Sequence, residues 1–279
     1  MLSRNSLGCF LATLFALATL CVIPASAQNP DQLQVGPPPL HRAQPPAPGA
    51  SAEDLEKQGD DLRADKNYID AVEYYEAVAR KSSPTPRLLN KIGICQLQMR
   101  RYKDARKSLQ KAVKRDPKFA DALNNLGVVY YELGVENHSG RDFGHAIKMY
   151  DQAIAVENDA ASFYNNRGAA YFSKKEYDKG AQDYAMALQL DPDIFERTTR
   201  GGVQAQLPSP EDRARYEYVV AKIYAKAGEN ERSLHYLRKA MEDGYKEINN
   251  VYKDAEFTTL RKDPKFAELM ASKPPAIPE

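Results

Sequence analysis

An all-α solenoid of about five helical hairpins is the fold this sequence predicts, and three regularities predict it. Small residues return at a fixed interval: Gly59, Gly93, Gly127 and Gly168 lie 34, 34 and 41 residues apart. A second set returns beside the first, since Ala71, Ala105, Ala146 and Gly180 are separated by 34, 41 and 34. Large residues keep the second set's intervals at Tyr75, Leu109, Tyr150 and Tyr184, and Pro117 and Pro192 follow two of the units where a helix must stop. A period of this length marks one supersecondary unit that buries its apolar face only by stacking on copies of itself.

The elements follow in chain order. Residues 1–27 read as a secretory leader. One cation, Arg4, precedes an apolar run from Cys9 to Ile23 and a small-residue exit, Ala25-Ser26-Ala27. As a helix that run would span about 22 Å, short of the roughly 30 Å hydrocarbon core, which favours a cleaved leader over a membrane anchor. Residues 28–51 hold seven prolines between Pro30 and Pro48 with no apolar periodicity, and are expected to run extended as a spacer. Units one to four occupy 52–194. The longer interval places seven extra residues between Gly127 and Ala146, expected as a loop at 135–141 around Ser139 and Gly140. An inserted loop, 195–210, carries Gly201, Gly202, Pro208 and Pro210 and reads as a hinge, a lid or a plain surface loop. Unit five, 211–245, repeats the spacing through Ala221, Gly228 and Ala240, with Tyr224 and Leu237 as its large residues. Phe257, Leu260, Phe266 and Leu269 then recur at helical spacing within 246–272, an apolar segment expected to cover the open end of the stack. Residues 273–279 read as a loose tail.

Composition bounds the function. With 43% hydrophobic and 28% charged residues, the chain is not disordered throughout. Loss of the leader would remove Arg4 and bring 39 cations to 38, equal to the 38 acidic residues. That leaves no basic surplus to point to nucleic acid or an anionic membrane. Cys9 and Cys21 fall in the leader, so Cys95 would remain alone, without an internal disulfide, and its apolar surroundings suit a buried thiol.

Taken together, Leu126-Gly127, Tyr130, Gly134, Phe143, Ala146, Tyr150 and Ala153 of the third unit resemble the tetratricopeptide repeat family, whose unit is a 34-residue pair of antiparallel helices. The resemblance covers residues 52–245. It departs from the family in lacking tryptophan, in Gln58 and Gln96, and in the lengthened third unit. It implies a right-handed α-solenoid whose first helices line a concave groove, and an adaptor that binds a protein or extended peptide segment there; with the leader, the expectation is an exported adaptor, periplasmic or secreted. Equivalent groove positions would then form ladders: Asn90, Asn124 and Asn165, followed by Lys91, Asn125 and Asn166. An amide that donates and accepts suits a peptide backbone, while ordinary inter-helix hydrogen bonding accounts for the same residues. Tyr131 and Phe172, with Leu97, would make an apolar row open to a partner or serving as core. Arg87 and Lys91 match only half of the family's carboxylate clamp.

No constellation points to catalysis or to a cofactor: the sequence has no phosphate loop, zinc-protease motif, paired cysteines or nucleophile elbow. His138 and His145 flank the third-unit insertion near Glu136 and Asp142, which keeps a metal-dependent or hydrolytic envelope protein as a rival expectation. A self-associating structural protein is a third.

Overall fold

The computed structural model of the protein describes residues 43–196, 207 and 209–272. The leader, most of the proline-rich stretch, the greater part of the 195–210 segment with Gly201, Gly202 and Pro208, and the tail after Ser272 lie outside the described residues.

The described residues form eleven α-helices and no strand. Five hairpins come first: α1 (Ala52–Ala64) with α2 (Tyr68–Lys81), α3 (Pro86–Gln98) with α4 (Tyr102–Arg115), α5 (Ala120–Glu136) with α6 (Gly140–Val156), α7 (Ala161–Ser173) with α8 (Tyr177–Leu190), and α9 (Pro210–Ala227) with α10 (Asn230–Glu242). Side-chain caps fix several starts. Ser51, Thr85, Ser139 and Ser209 each accept a hydrogen bond from the backbone N–H three residues on, and Pro86 and Pro210 occupy first-turn positions where no N–H is needed.

The recurring small residues explain why the helices of a hairpin lie so close. A Cβ added to Gly59, Gly93 or Gly127 would stand 2.6, 2.5 and 2.5 Å from Tyr75, Leu109 and Tyr150, so each large side chain occupies the space that the glycine leaves. Gly168 and Tyr184 repeat the seam, and Ala221 with Leu237 carries it into the fifth hairpin with both residues fully buried.

The hairpin tips share one turn. Lys66, Arg100, His138 and Lys175 adopt left-handed backbone conformations, with Gly228 in the same place in the fifth hairpin. In each tip the following N–H bonds to the carbonyl five residues back, as in Asn67 to Leu62 and Arg101 to Gln96, both at 2.8 Å. Four of these tips carry a side chain where glycine would fit with less strain, so the sequence gives no glycine signal for them.

The loop expected at 135–141 is absent. The seven extra residues are helical: α5 and α6 have 17 residues each, against 13 and 14 in α3 and α4, and the tip is confined to Asn137–Ser139. The added turns continue the seam, since a Cβ on Gly134 would lie 2.8 Å from Phe143, and Leu133 and Phe143 are buried. Packed helix buries apolar surface that a loop would leave in water.

Both ends of the stack are covered. At the amino-terminal end, residues 44–50 are pinned to α2 rather than spanning free: the Tyr74 hydroxyl donates to the Gln44 carbonyl at 2.8 Å, Lys81 Nζ donates to the Pro48 carbonyl at 3.1 Å, and Ala50 packs on the first core cluster. At the other end, short 3-10 turns at Ile248–Tyr252, Ala255–Phe257 and Leu260–Lys262 lead into α11 (Pro264–Ser272). Phe257, Leu260, Phe266 and Leu269 are buried in one cluster with Tyr218, Tyr224 and Leu237 of the fifth hairpin.

Candidate functional site

The asparagine ladder is an internal bracket between hairpins, not a peptide-holding surface. Asn125 Nδ2 donates to Asn90 Oδ1 at 3.0 Å, and Asn166 Nδ2 donates to Asn124 Oδ1 at 3.1 Å. All four amides are buried, as is Asn165. Lys91 makes the corresponding reach one hairpin earlier, with Nζ 2.7 Å from both Glu56 Oε1 and Asp60 Oδ2. Two adjacent residues on one helix point about 100° apart, so one row can look back to meet the row before it; the second, third and fourth hairpins are thereby each bonded to the one before. Lys91, engaged in this way, does not stand open as half of a carboxylate clamp.

Tyr131 and Phe172 are likewise core. Neither exposes any surface. Tyr131 packs its ring 5.4 Å from Phe143 and its hydroxyl lies 3.1 Å from Ser173 Oγ; Phe172 sits among Tyr177, Tyr184 and Tyr216. Cys95 is also fully buried, and burial pushes its thiol up to about 12. Near the lengthened tip, His145 Nδ1 stands 3.8 Å from Asp142 and its ring meets Tyr130 edge-on. Among the described residues no three His, Cys, Asp or Glu side chains converge in a metal-holding arrangement.

The open site lies where the repeat loses its register. Small residues of the fourth and fifth hairpins, Gly168 and Ala221, are 53 residues apart instead of 34. The start of α9 is nevertheless anchored to the fourth hairpin: Lys175 Nζ reaches Asp212 Oδ1 at 2.6 Å, and the Tyr216 ring lies 4.9 Å from that of Tyr184 and 6.1 Å from that of Phe195. Beyond that anchor α9 meets α8 along a much shorter stretch than α3, α5 and α7 meet the helices before them. The two helices bound a cleft of about 700 Å3. Asp178, Ala181, Gln182 and Ala185 of α8 form one wall, and Val219, Lys222, Ile223 and Lys226 of α9 the other. Tyr177, Arg215, Tyr218 and Tyr245 close one end, with Asn250, Asp254 and Glu256 from the C-terminal segment.

The electrostatics of the cleft are balanced. Its lining has three cations, Arg215, Lys222 and Lys226, and three carboxylates, Asp178, Asp254 and Glu256. Lys222 Nζ lies 3.1 Å from Asp254 and 3.3 Å from Glu256; burial alone would lower its ammonium, and these two acids hold it above its ordinary value instead. The Arg215 guanidinium sits 4.7 Å from the Tyr177 ring centre and 5.6 Å from that of Tyr245, with Nη2 3.3 Å from Glu247. Tyr218 stacks on Tyr245 at 4.5 Å and donates its hydroxyl to Asp254 at 2.9 Å. These partners fix the polar rim while Val219, Ile223, Ala181 and Ala185 leave an apolar trough between the walls.

One further residue of α9 escapes the sequence reading. Glu217 precedes Ala221 by four positions, the place held by Leu55, Leu89 and Leu123 in the first three hairpins. It is 6% exposed and its Oε2 has no hydrogen-bond partner among the described residues. Burial pushes its carboxyl up to about 7, with Asp243 and Glu242 adding to the effect and Lys239 and Arg213 opposing it. The signals available in the sequence were the 53-residue interval and a glutamate at a leucine position.

Comparison with known proteins agrees with this architecture. The sequence pattern of the tetratricopeptide repeat matches residues 161–194, the span of α7 and α8, and that of the coatomer epsilon subunit matches residues 62–162. The chain is similar to small glutamine-rich tetratricopeptide repeat-containing protein 2 of Saccharomyces cerevisiae, 39% identical over 64 residues, covering 23% of this chain and 18% of the relative. It is also similar to Hsp70-Hsp90 organizing protein 1 of Glycine max, 32% identical over 92 residues, covering 33% of this chain and 15% of the relative. The chain therefore spans less than a fifth of either relative's length. A solved structure, a thermophilic TPR protein in Thermus thermophilus, superposes with a TM-score of 0.50 at 19% identity, over 79% of this chain and all of that one, which bears on the fold alone. One hairpin, residues 161–194, is thus matched by the tetratricopeptide repeat pattern, and the same seam of small against large residues recurs in the first three hairpins and, through Ala221 and Leu237, in the fifth.

Proposed function

We propose that this protein is an exported, non-catalytic adaptor that holds a segment of another protein in the cleft between its fourth and fifth hairpins. Tetratricopeptide repeat proteins act in protein–protein interactions, and one relative is named for organising Hsp70 and Hsp90. The observation that carries the reading is the contrast in availability: the inner polar groups of the first four hairpins bond to one another, whereas Val219, Ile223 and Lys226 line an open cleft. The leader-like residues 1–27 support export, and among the described residues no helix is long and apolar enough to cross a membrane.

Site-specific photo-crosslinking tests the site. A photoreactive residue at Val219 should give discrete adducts to another protein in intact cells, while one at Val156, exposed on α6, should not. Adducts at Val156 and none at Val219 would remove the cleft from the account. Fractionation with amino-terminal sequencing tests export: a mature chain starting at Gln28 outside the cytosol is expected, and a cytosolic chain that retains Met1 would refute it.

A further inference from the structure

The occupant of the cleft has a chemistry that can be argued from the protein itself. Resting on the cleft as the partner site, we infer that it takes an uncharged, proline-rich, extended segment of a partner protein. Such a segment is a left-handed helix with three residues per turn, fully solvated carbonyls and few or no N–H donors. A site for it needs aromatic faces for the rings, donors for the carbonyls, and no excess charge.

The cleft meets each requirement. Tyr177, Arg215 and Tyr245 form an aromatic–guanidinium–aromatic ridge at one end, with Tyr218 stacked behind it. Flat rings of this kind dock prolines, whose pre-set backbone loses little entropy on binding. The trough beside the ridge has small walls, Ala181 and Ala185, facing Val219 and Ile223. At the rim Gln182 and Lys226 are exposed donors that nothing else engages among the described residues. The cations and carboxylates of the lining are equal in number, and Lys222 and Arg215 already have carboxylate partners, so an acidic or basic peptide gains no net attraction.

The same molecule shows the chemistry at work on another surface. Residues 44–50 read Gln-Pro-Pro-Ala-Pro-Gly-Ala, an uncharged proline-rich stretch, and it lies along α2 with a tyrosine hydroxyl on the Gln44 carbonyl and a lysine ammonium on the Pro48 carbonyl. A lysine donor of the same kind is what the cleft presents at Lys226, while the Tyr177 hydroxyl is already given to Asp212 and leaves its ring as the contact surface.

The test uses the full mature chain and a fluorescent, end-blocked peptide of repeated Pro-Pro-Ala-Pro, read by anisotropy. Binding should weaken by about tenfold or more when the peptide's prolines become alanines, and equally with Val219→Asp or Tyr177→Ala in the protein, while Val156→Asp leaves it unchanged. Circular dichroism melts establish that the variants fold. Equal binding of the alanine peptide, or tighter binding of acidic or basic peptides of the same length, would overturn the inference. So would a concentration-dependent dimer, seen by sedimentation velocity, that disappears when residues 28–50 are removed, because the occupant would then be a second copy. If Val219 crosslinks in cells but the proline peptide neither binds nor competes, the proline chemistry fails and the cleft stands; if Val219 gives no adduct either, both fail.

Discussion

The first four hairpins and the junction that follows them use the same parts to opposite ends. In the regular stretch each unit spends its inner-face polar groups on its neighbour: Lys91 on Glu56 and Asp60, Asn125 on Asn90, Asn166 on Asn124. At the junction the interval changes, α9 meets α8 along a shorter stretch, and Val219, Lys222, Ile223 and Lys226 on one side of α9 face a cleft. Regular stacking closes a repeat array, and a break in register opens it. Equivalence of position along a solenoid is therefore a sign of shared structural duty as readily as of a shared binding surface.

That comparison can be broken most severely at Tyr131. If it belongs to the closed region, Tyr131→Ala should cost about 3–5 kcal/mol of unfolding free energy in urea, as large-to-small changes of a buried aromatic do. A variant of unchanged stability with impaired partner capture would restore the residue to a binding surface.

Glu217 sharpens the other side, because it places a carboxyl inside the hairpin that forms the cleft wall. Its folded-state value, about 7, exceeds the ordinary 4.5, so the folded state binds the proton more tightly than the unfolded one. The stability it allows is fully present below about pH 4.5, falls as pH rises toward 7, and stays lost above, a change of about 3 kcal/mol at 1.36 kcal/mol per unit. Arg213, Lys239, Glu242 and Asp243 face it and shape the curve. Glu217→Leu should flatten that window in urea titrations run at several pH values and raise stability at pH 8. An unaltered pH profile would show the carboxyl to be better solvated than its burial indicates.

The smallest effect expected is at the bracket between hairpins. Asn125→Ala leaves Asn90 Oδ1 buried without its donor, at about 1–3 kcal/mol, and replacing both asparagines with leucine should recover part of that loss. A double-mutant cycle with no coupling between the two positions would mean that the hairpins are not linked through these amides.

Much of the architecture was legible in the sequence because close packing leaves a one-dimensional trace. Gly59, Gly93 and Gly127 cannot be larger while Tyr75, Leu109 and Tyr150 lie against them, so the spacing of small residues reports contact directly. The candidate site was not legible in the same way. Asn90 and Asn124 share their spacing whether they face a guest or the next hairpin, and only the partner atoms, Asn125 Nδ2 and Asn166 Nδ2, distinguish the two. The turn at His138 was hidden for another reason. Its left-handed backbone is carried by a side chain, while the neighbouring Ser139 and Gly140 look like loop material although Gly140 begins a helix.

The lengthened third hairpin carries a constraint on how this molecule can vary. Its seven added residues amount to nearly two helical turns, at 3.6 residues each, shared between two antiparallel rods. Phe143 and Tyr150 consequently come back to face Gly134 and Gly127, and the tip rises about 5 Å beyond those beside it, the height of one turn. An addition of two residues, or of five on one rod, would swing those rings away from their glycines. Growth of a hairpin here is quantised, so that a ledge can be raised on the edge of the stack one whole turn at a time without disturbing the seam beneath it.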